Sequence, residues 1–248
     1  MLTQLRRTTP RPLILACALS LAAAFFAIRY PDIQGASLGS YVSTLLIALP
    51  SAVALCRYLG PRRATLSLLA ISILAYAIEA IGVTTGLPYG TFYYGDALGP
   101  RLAGIVPYLL PLSYAPLVVG AVAVAWGTRL RLLHVVHATL LLVWIDAVLD
   151  PGAASLGFWV WPQGGVYYGV PLSNYAGWLL SGALATTLLL TTGRWSETPR
   201  PALLDSATIA TSFWTGVAIL SGTVVPALLG VTLFAYLLGC RSHLHVVQ

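Results

Sequence analysis

Apolar runs separated by short segments rich in Gly, Pro, Tyr and Arg recur along almost the whole chain. A membrane-spanning helix needs about 20 mostly apolar residues. On that measure the pattern predicts spans at 12–28, 38–59, 64–83, 104–126, 131–150, 173–193, 203–220 and 223–239. The expected fold is all-α, a polytopic integral membrane helical bundle of about eight transmembrane helices. Its outer loops or re-entrant segments are rich in Gly, Tyr and Trp. The stretch Ser221-Gly222-Thr223 marks the boundary between the last two runs, which read equally as a tight hairpin or as one broken helix, giving seven spans. The fourth run contains Pro107, Pro111 and Pro116 and is expected to kink. No polar stretch is long enough for a soluble domain, so residues 1–248 are expected to form a single membrane domain.

Composition agrees: 58% of residues are hydrophobic and 8% charged, against about 25% charged in a soluble domain. All 13 basic residues are Arg, and the net charge is +6. In a chain this apolar the excess reports orientation, and no nucleic-acid partner is expected. With the N-terminus inside, Arg6, Arg7, Arg11, Arg57, Arg62, Arg63, Arg129, Arg131, Arg194, Arg200 and Arg241 fall on the cytoplasmic side; only Arg29 and Arg101 fall outside. That bias predicts a multi-pass protein of the cell membrane with both termini cytoplasmic. The opening "MLTQLRRTTPRPLILACALSLAAAF" resembles a signal peptide, but every later run is also membrane-length, so it is read as a retained first helix. Cys17, Cys56 and Cys240 lie in separate apolar runs and are expected to pack as small hydrophobes.

The acids are distributed the other way. Asp32, Glu79, Asp96, Asp146 and Asp150 lie toward the outer side, Glu197 and Asp205 inside. Acids within spans are costly and normally face a protein interior or a water-filled cavity. Glu79 and Asp146 are therefore functional candidates, and Asp146 and Asp150, four residues apart, share one helix face. Asp150 reads equally as the end of a helix before Pro151. Two segments repeat a theme of acid, Gly-rich stretch, Tyr-Tyr-Gly (93–95 and 167–169) and a Pro leading into the next helix. Spans three and four thus read as a degenerate copy of spans five and six; shared interfacial composition is the competing account.

The stretches "EAIGVTTGLPYGTFYYGDALGPRLAGIVPYLLPLSY" and "DAVLDPGAASLGFWVWPQGGVYYGVPLSNYAGW" resemble the signature blocks of the CruF-type carotenoid hydratases, a family of integral membrane proteins. The order E-x-I-G, P-Y-G, D-P, W-x-W and P-L-x-N-Y-x-G-W is far more specific than a short motif. The resemblance covers roughly residues 72–180; the first two and last two spans match in hydropathy alone. It implies addition of water across the terminal C1=C2 double bond of an acyclic carotenoid, of the C40 lycopene or γ-carotene type or a C50 bacterioruberin precursor. It brings no established set of catalytic residues.

The chemistry supplies roles. Hydrating an isolated trisubstituted alkene without a cofactor needs a carboxylic acid to protonate C2, a tertiary cation at C1 and a water to capture it. Burial in an apolar site favours the protonated carboxyl, and aromatic faces stabilise the cation by about 0.5–2 kcal/mol each. Asp146 is the leading proton donor, with Glu79 as partner or replacement. Asp150 and Asn174 are candidates for positioning water, and Asn174 reads equally as a helix N-cap. Tyr93, Tyr94, Trp159, Trp161, Tyr167 and Tyr168 are candidates for lining the pocket. The substrate is expected to arrive from the bilayer, and other enzymes of the carotenoid pathway are candidate neighbours. Asp96 and Arg101 read as a loop ion pair. His134, His137, His243 and His245 read as interface histidines, so no metal and no cofactor is expected. Nucleotide-binding fingerprints and the common hydrolase motifs are absent. Two rival functions remain: a proton-initiated carotenoid cyclase, which would exclude water, and a proton-coupled transporter.

Overall fold

The computed structural model describes residues 9–31, 36–128 and 130–247. Arg6, Arg7, Asp32 and Arg129, used above to weigh orientation, lie outside the described residues. Among the described residues eight α-helices follow one another: α1 (Arg11–Arg29), α2 (Ala36–Leu59), α3 (Pro61–Thr85), α4 (Leu110–Val124), α5 (Arg131–Ser155), α6 (Leu172–Thr192), α7 (Asp205–Leu220) and α8 (Val224–Val246). All but α4 belong to segments long and apolar enough to cross a membrane, Pro201–Leu220 counting as one with its leading 3-10 turn. The last two are separate helices, which resolves the choice between a hairpin and one broken helix. The protein is an all-α polytopic bundle.

Three helices depart from the expected bounds, α8 by continuing past residue 239 to Val246. Only residues 110–124 of the fourth run are helical. Val106–Pro107 instead pair antiparallel with Arg101–Leu102 in a small hairpin. Proline carries no amide hydrogen, so Pro107 cannot continue a helical ladder, whereas Pro111 is accommodated in the first turn. The fifth helix does the reverse. It continues through Pro151 to Ser155, so Asp150 does not end it and sits inside a helical turn.

An apolar stripe on every side marks a helix meant for burial, and α4 is such a helix. Every residue from Tyr114 to Ala123 is buried, with α2, α3, α5, α6 and α7 packed around it. Helix α1 packs against α7, where Ser212 Oγ donates to the Cys17 carbonyl at 3.0 Å. Where no water is available, polar groups must find protein partners. Accordingly, buried Ser51 and Ser206 bond across α2 and the start of α7, and Arg241 Nε pairs with Asp205 at 2.7 Å.

At one end of the bundle two arms cross. Tyr93–Tyr94, between α3 and α4, pair antiparallel with Trp159–Val160, between α5 and α6. The arms therefore share one face of the molecule, as the alternation of spans requires. The two Tyr-Tyr-Gly tripeptides are not structural equivalents. The first forms the extended strand just described, while the second turns between bridged Tyr167 and Val170, with Tyr168 at φ 50°.

Candidate active site

Helix α5 runs toward the arms with Asp146 and Asp150 on its inward face, 0% and 2% exposed. Helix α6 starts at the same end. Its N-cap is Pro171 and no side chain caps it, so the capping role anticipated for Asn174 is not what its side chain does. Asn174, in the first turn, points across to α5. Its Nδ2 donates to Asp146 Oδ2 at 3.0 Å and to Asp150 Oδ2 at 2.5 Å. One amide group thus bridges two carboxyls a helical turn apart. Asp146 Oδ1 is buried without a hydrogen-bond partner in the protein.

Glu79 comes from α3, packed on α6. Its Oε2 accepts from the Tyr94 hydroxyl at 2.7 Å. Burial first, and then the charge of Glu79, pushes the Tyr94 hydroxyl well above the ordinary tyrosine range, so Tyr94 keeps its proton and donates it. The three acids are close enough to feel one another's charge. The sequence therefore placed Glu79, Asp146, Asp150 and Asn174 in one neighbourhood, and the fold brings them together.

Among the aromatic candidates, Tyr94 and Trp161 are buried in a cluster with Tyr89 and Phe92. Trp159 crosses Tyr94 edge to face, centroids 6.2 Å apart. Tyr167 has a different occupation. Pro151 cannot donate to the carbonyl four residues earlier, that of Ala147. The Tyr167 hydroxyl donates to that carbonyl instead, at 3.1 Å. Tyr93 and Tyr168 are 52% and 40% exposed and lie outside the buried cluster. In strand order this follows for Tyr93, since neighbours in a strand face opposite ways.

The other charged candidates sit apart. Asp96 pairs with Arg101 at 3.0 Å in the arm. His134 Nε2 lies 2.8 Å from the Val122 carbonyl and His137 Nε2 3.2 Å from the Tyr236 hydroxyl.

Four residues at the site were not singled out from sequence: Tyr89, Tyr114, Tyr175 and Ser181. The Tyr89 ring wedges between α3 and α6, where a Cβ on Gly82 would lie 2.8 Å and one on Gly177 2.3 Å from it. Its carbonyl accepts from Trp161 Nε1 and Ser173 Oγ, which fixes the arm onto the helices. Tyr175 brings a buried hydroxyl near Asp146 and Asp150. A signal for Ser181 existed: it follows Asn174 by seven residues, two helical turns along the same face.

A family model described as "Carotenoid biosynthesis protein" matches residues 39–237. The chain belongs to that family. Over 137 residues it is 50% identical to the bisanhydrobacterioruberin hydratase of Haloarcula japonica, a match covering 51% of this chain and 45% of that protein. The chain thus spans about half the length of the curated relative it matches. No solved structure matches. The family match takes in all four bridged and paired polar residues, Glu79, Asp146, Asp150 and Asn174.

Proposed function

We propose that this chain is a carotenoid hydratase, adding water to the terminal C1=C2 double bond of an acyclic carotenoid end group. The observation that carries the reading is the Asn174 amide bonded to two buried carboxyls in a member of a carotenoid biosynthesis family. The name of the Haloarcula relative points the same way and makes a bacterioruberin precursor the first substrate to test, with lycopene-type carotenes the second.

A pair of carboxyls joined by one amide suits holding a single proton between them. Asp146 delivers that proton to C2, whose new C–H bond takes the π electrons and leaves a tertiary cation at C1. Asp150 and Asn174 orient the donor. The faces of Tyr89, Tyr94 and Trp159 stabilise the cation without trapping it covalently. Water supplies the C1–O bond and gives up one proton, so the sum is carotenoid plus water to tertiary alcohol. The end group enters from the bilayer, and water and protons enter from the arm side, taken to be the outer face of the cell membrane with both termini cytoplasmic.

Expression in hosts accumulating a bacterioruberin precursor or lycopene, followed by mass spectrometry of the pigments, tests the proposal. A product heavier by one water in either host supports it. An isomer of unchanged mass carrying a ring makes the protein a cyclase, and unchanged pigment in both hosts with protein present in the membrane overturns the hydratase reading.

A further inference from the structure

Between α3, α4 and α6 lies a cavity of about 10 Å³, bordered by Glu79, Tyr89, Tyr114 and Ser181 on its polar side and by aliphatic side chains elsewhere. One water needs roughly that volume and two to four polar partners. Ser181 is 3% and Tyr114 9% exposed, and both hydroxyls are buried without a hydrogen-bond partner in the protein. The Ser181 hydroxyl lies beside Tyr89 and Tyr114 yet in bonding geometry with neither. Buried hydroxyls left unsatisfied are costly. Two of them bordering one water-sized space beside a carboxylate form a built site for a polar molecule of that size.

Resting on the hydratase reading, we infer that this cavity holds the water that attacks C1, positioned by Ser181 and Tyr114, and that Glu79 receives its proton. Glu79 is suited to this: Tyr94 donates to its Oε2, which holds the group as an acceptor and leaves Oε1 for a second donor. The division of labour differs from that expected from sequence, where Asp150 and Asn174 were to hold the water. Those two are occupied with each other and with Asp146. The end group lies with C2 toward Asp146 and C1 toward the cavity, and Tyr89, close to the charges of both Glu79 and Asp146, is the ring beside the cation. A lone pair on the water oxygen forms the C1–O bond, and the oxonium proton passes to Glu79. Each turnover then leaves the aspartate pair one proton short and Glu79 one proton richer, and exchange with solvent resets both.

The test separates making the cation from capturing it. Full-length protein in native membranes is supplied with the carotenoid in deuterium oxide; alcohol formation and deuterium entering the recovered carotenoid are both measured. The variants are Ser181→Val, which fills the cavity and removes the hydroxyl, and Tyr114→Phe, which keeps the ring against Trp178. We expect alcohol to fall at least about tenfold in each, while deuterium still enters the unhydrated carotenoid, because an uncaptured cation loses a proton and returns to alkene. Tyr114→Phe decides the matter where Ser181→Val fails to accumulate. Hydration within about twofold of wild type in an accumulating variant overturns the inference. So does a parallel loss of alcohol and exchange, which assigns the cavity to proton delivery or packing. Wild-type protein that gives neither alcohol nor exchange sinks the hydratase reading itself, a result distinct from both.

Discussion

Tyr167 donates its hydroxyl to the carbonyl of Ala147, 3.1 Å away, across the gap that Pro151 leaves in the α5 ladder. Ala147 directly follows Asp146. Tyr167→Phe should leave that half-buried carbonyl without its partner, at about 1–3 kcal/mol. Thermal unfolding in detergent should show a lower Tm, and an unchanged Tm would show that another group satisfies Ala147.

The acids should separate by position. Asp146→Asn keeps size but removes the acid, so hydration should fall by at least about 10²-fold. Glu79→Gln should be comparably harmful. Asp96→Asn should leave most activity, because Asp96 is exposed in the arm and pairs with Arg101. Pigment analysis normalised to membrane protein abundance checks all three. Normal hydration by both Asp146→Asn and Glu79→Gln would remove these residues from the mechanism.

Asn174→Leu should be worse than a simple loss of contact, since it strips the donor from two buried carboxyls at once. Leaving buried acceptors unsatisfied costs about 1–3 kcal/mol each. The double variant Asp146→Asn with Asn174→Leu should recover part of the Tm lost in Asn174→Leu, because it removes one of the two orphaned carboxyls. An additive result in that cycle would show that the bridge is not energetically coupled.

Gly177→Ala places a Cβ 2.3 Å from the Tyr89 ring. Overpacking of this kind costs about 1–3 kcal/mol, and here the displaced ring belongs to the site. Activity should therefore fall together with Tm. Gly239→Ala on α8, where a Cβ meets nothing within 4 Å, should change neither.

Most of the bundle was legible in the sequence because each span is a predominantly apolar run, a signal that survives without knowing any partner. Around the site, where it failed, the cause was proline read by one rule. Pro107 stops a helix and Pro151 does not, because Tyr167, sixteen residues further on, supplies the missing donor to Ala147; no local pattern contains that fact. The site divides the same way. Charges in apolar runs identify themselves, so Glu79, Asp146 and Asp150 stood out. Tyr89, Tyr114 and Ser181 did not, since tyrosine and serine are unremarkable at a membrane boundary and gain meaning only when three helices converge on one space.

The brevity of α4 has a consequence for the bilayer itself. Fifteen residues give about 22 Å of helix, less than the roughly 30 Å of a hydrocarbon layer. On the arm side the chain leads into α4 through the hairpin of Arg101–Leu102 with Val106–Pro107, whose Leu102 is 42% exposed. Enclosed by α2, α3, α5, α6 and α7, α4 meets protein rather than lipid along its sides, so the five neighbours, not a thinned bilayer, absorb the mismatch in length.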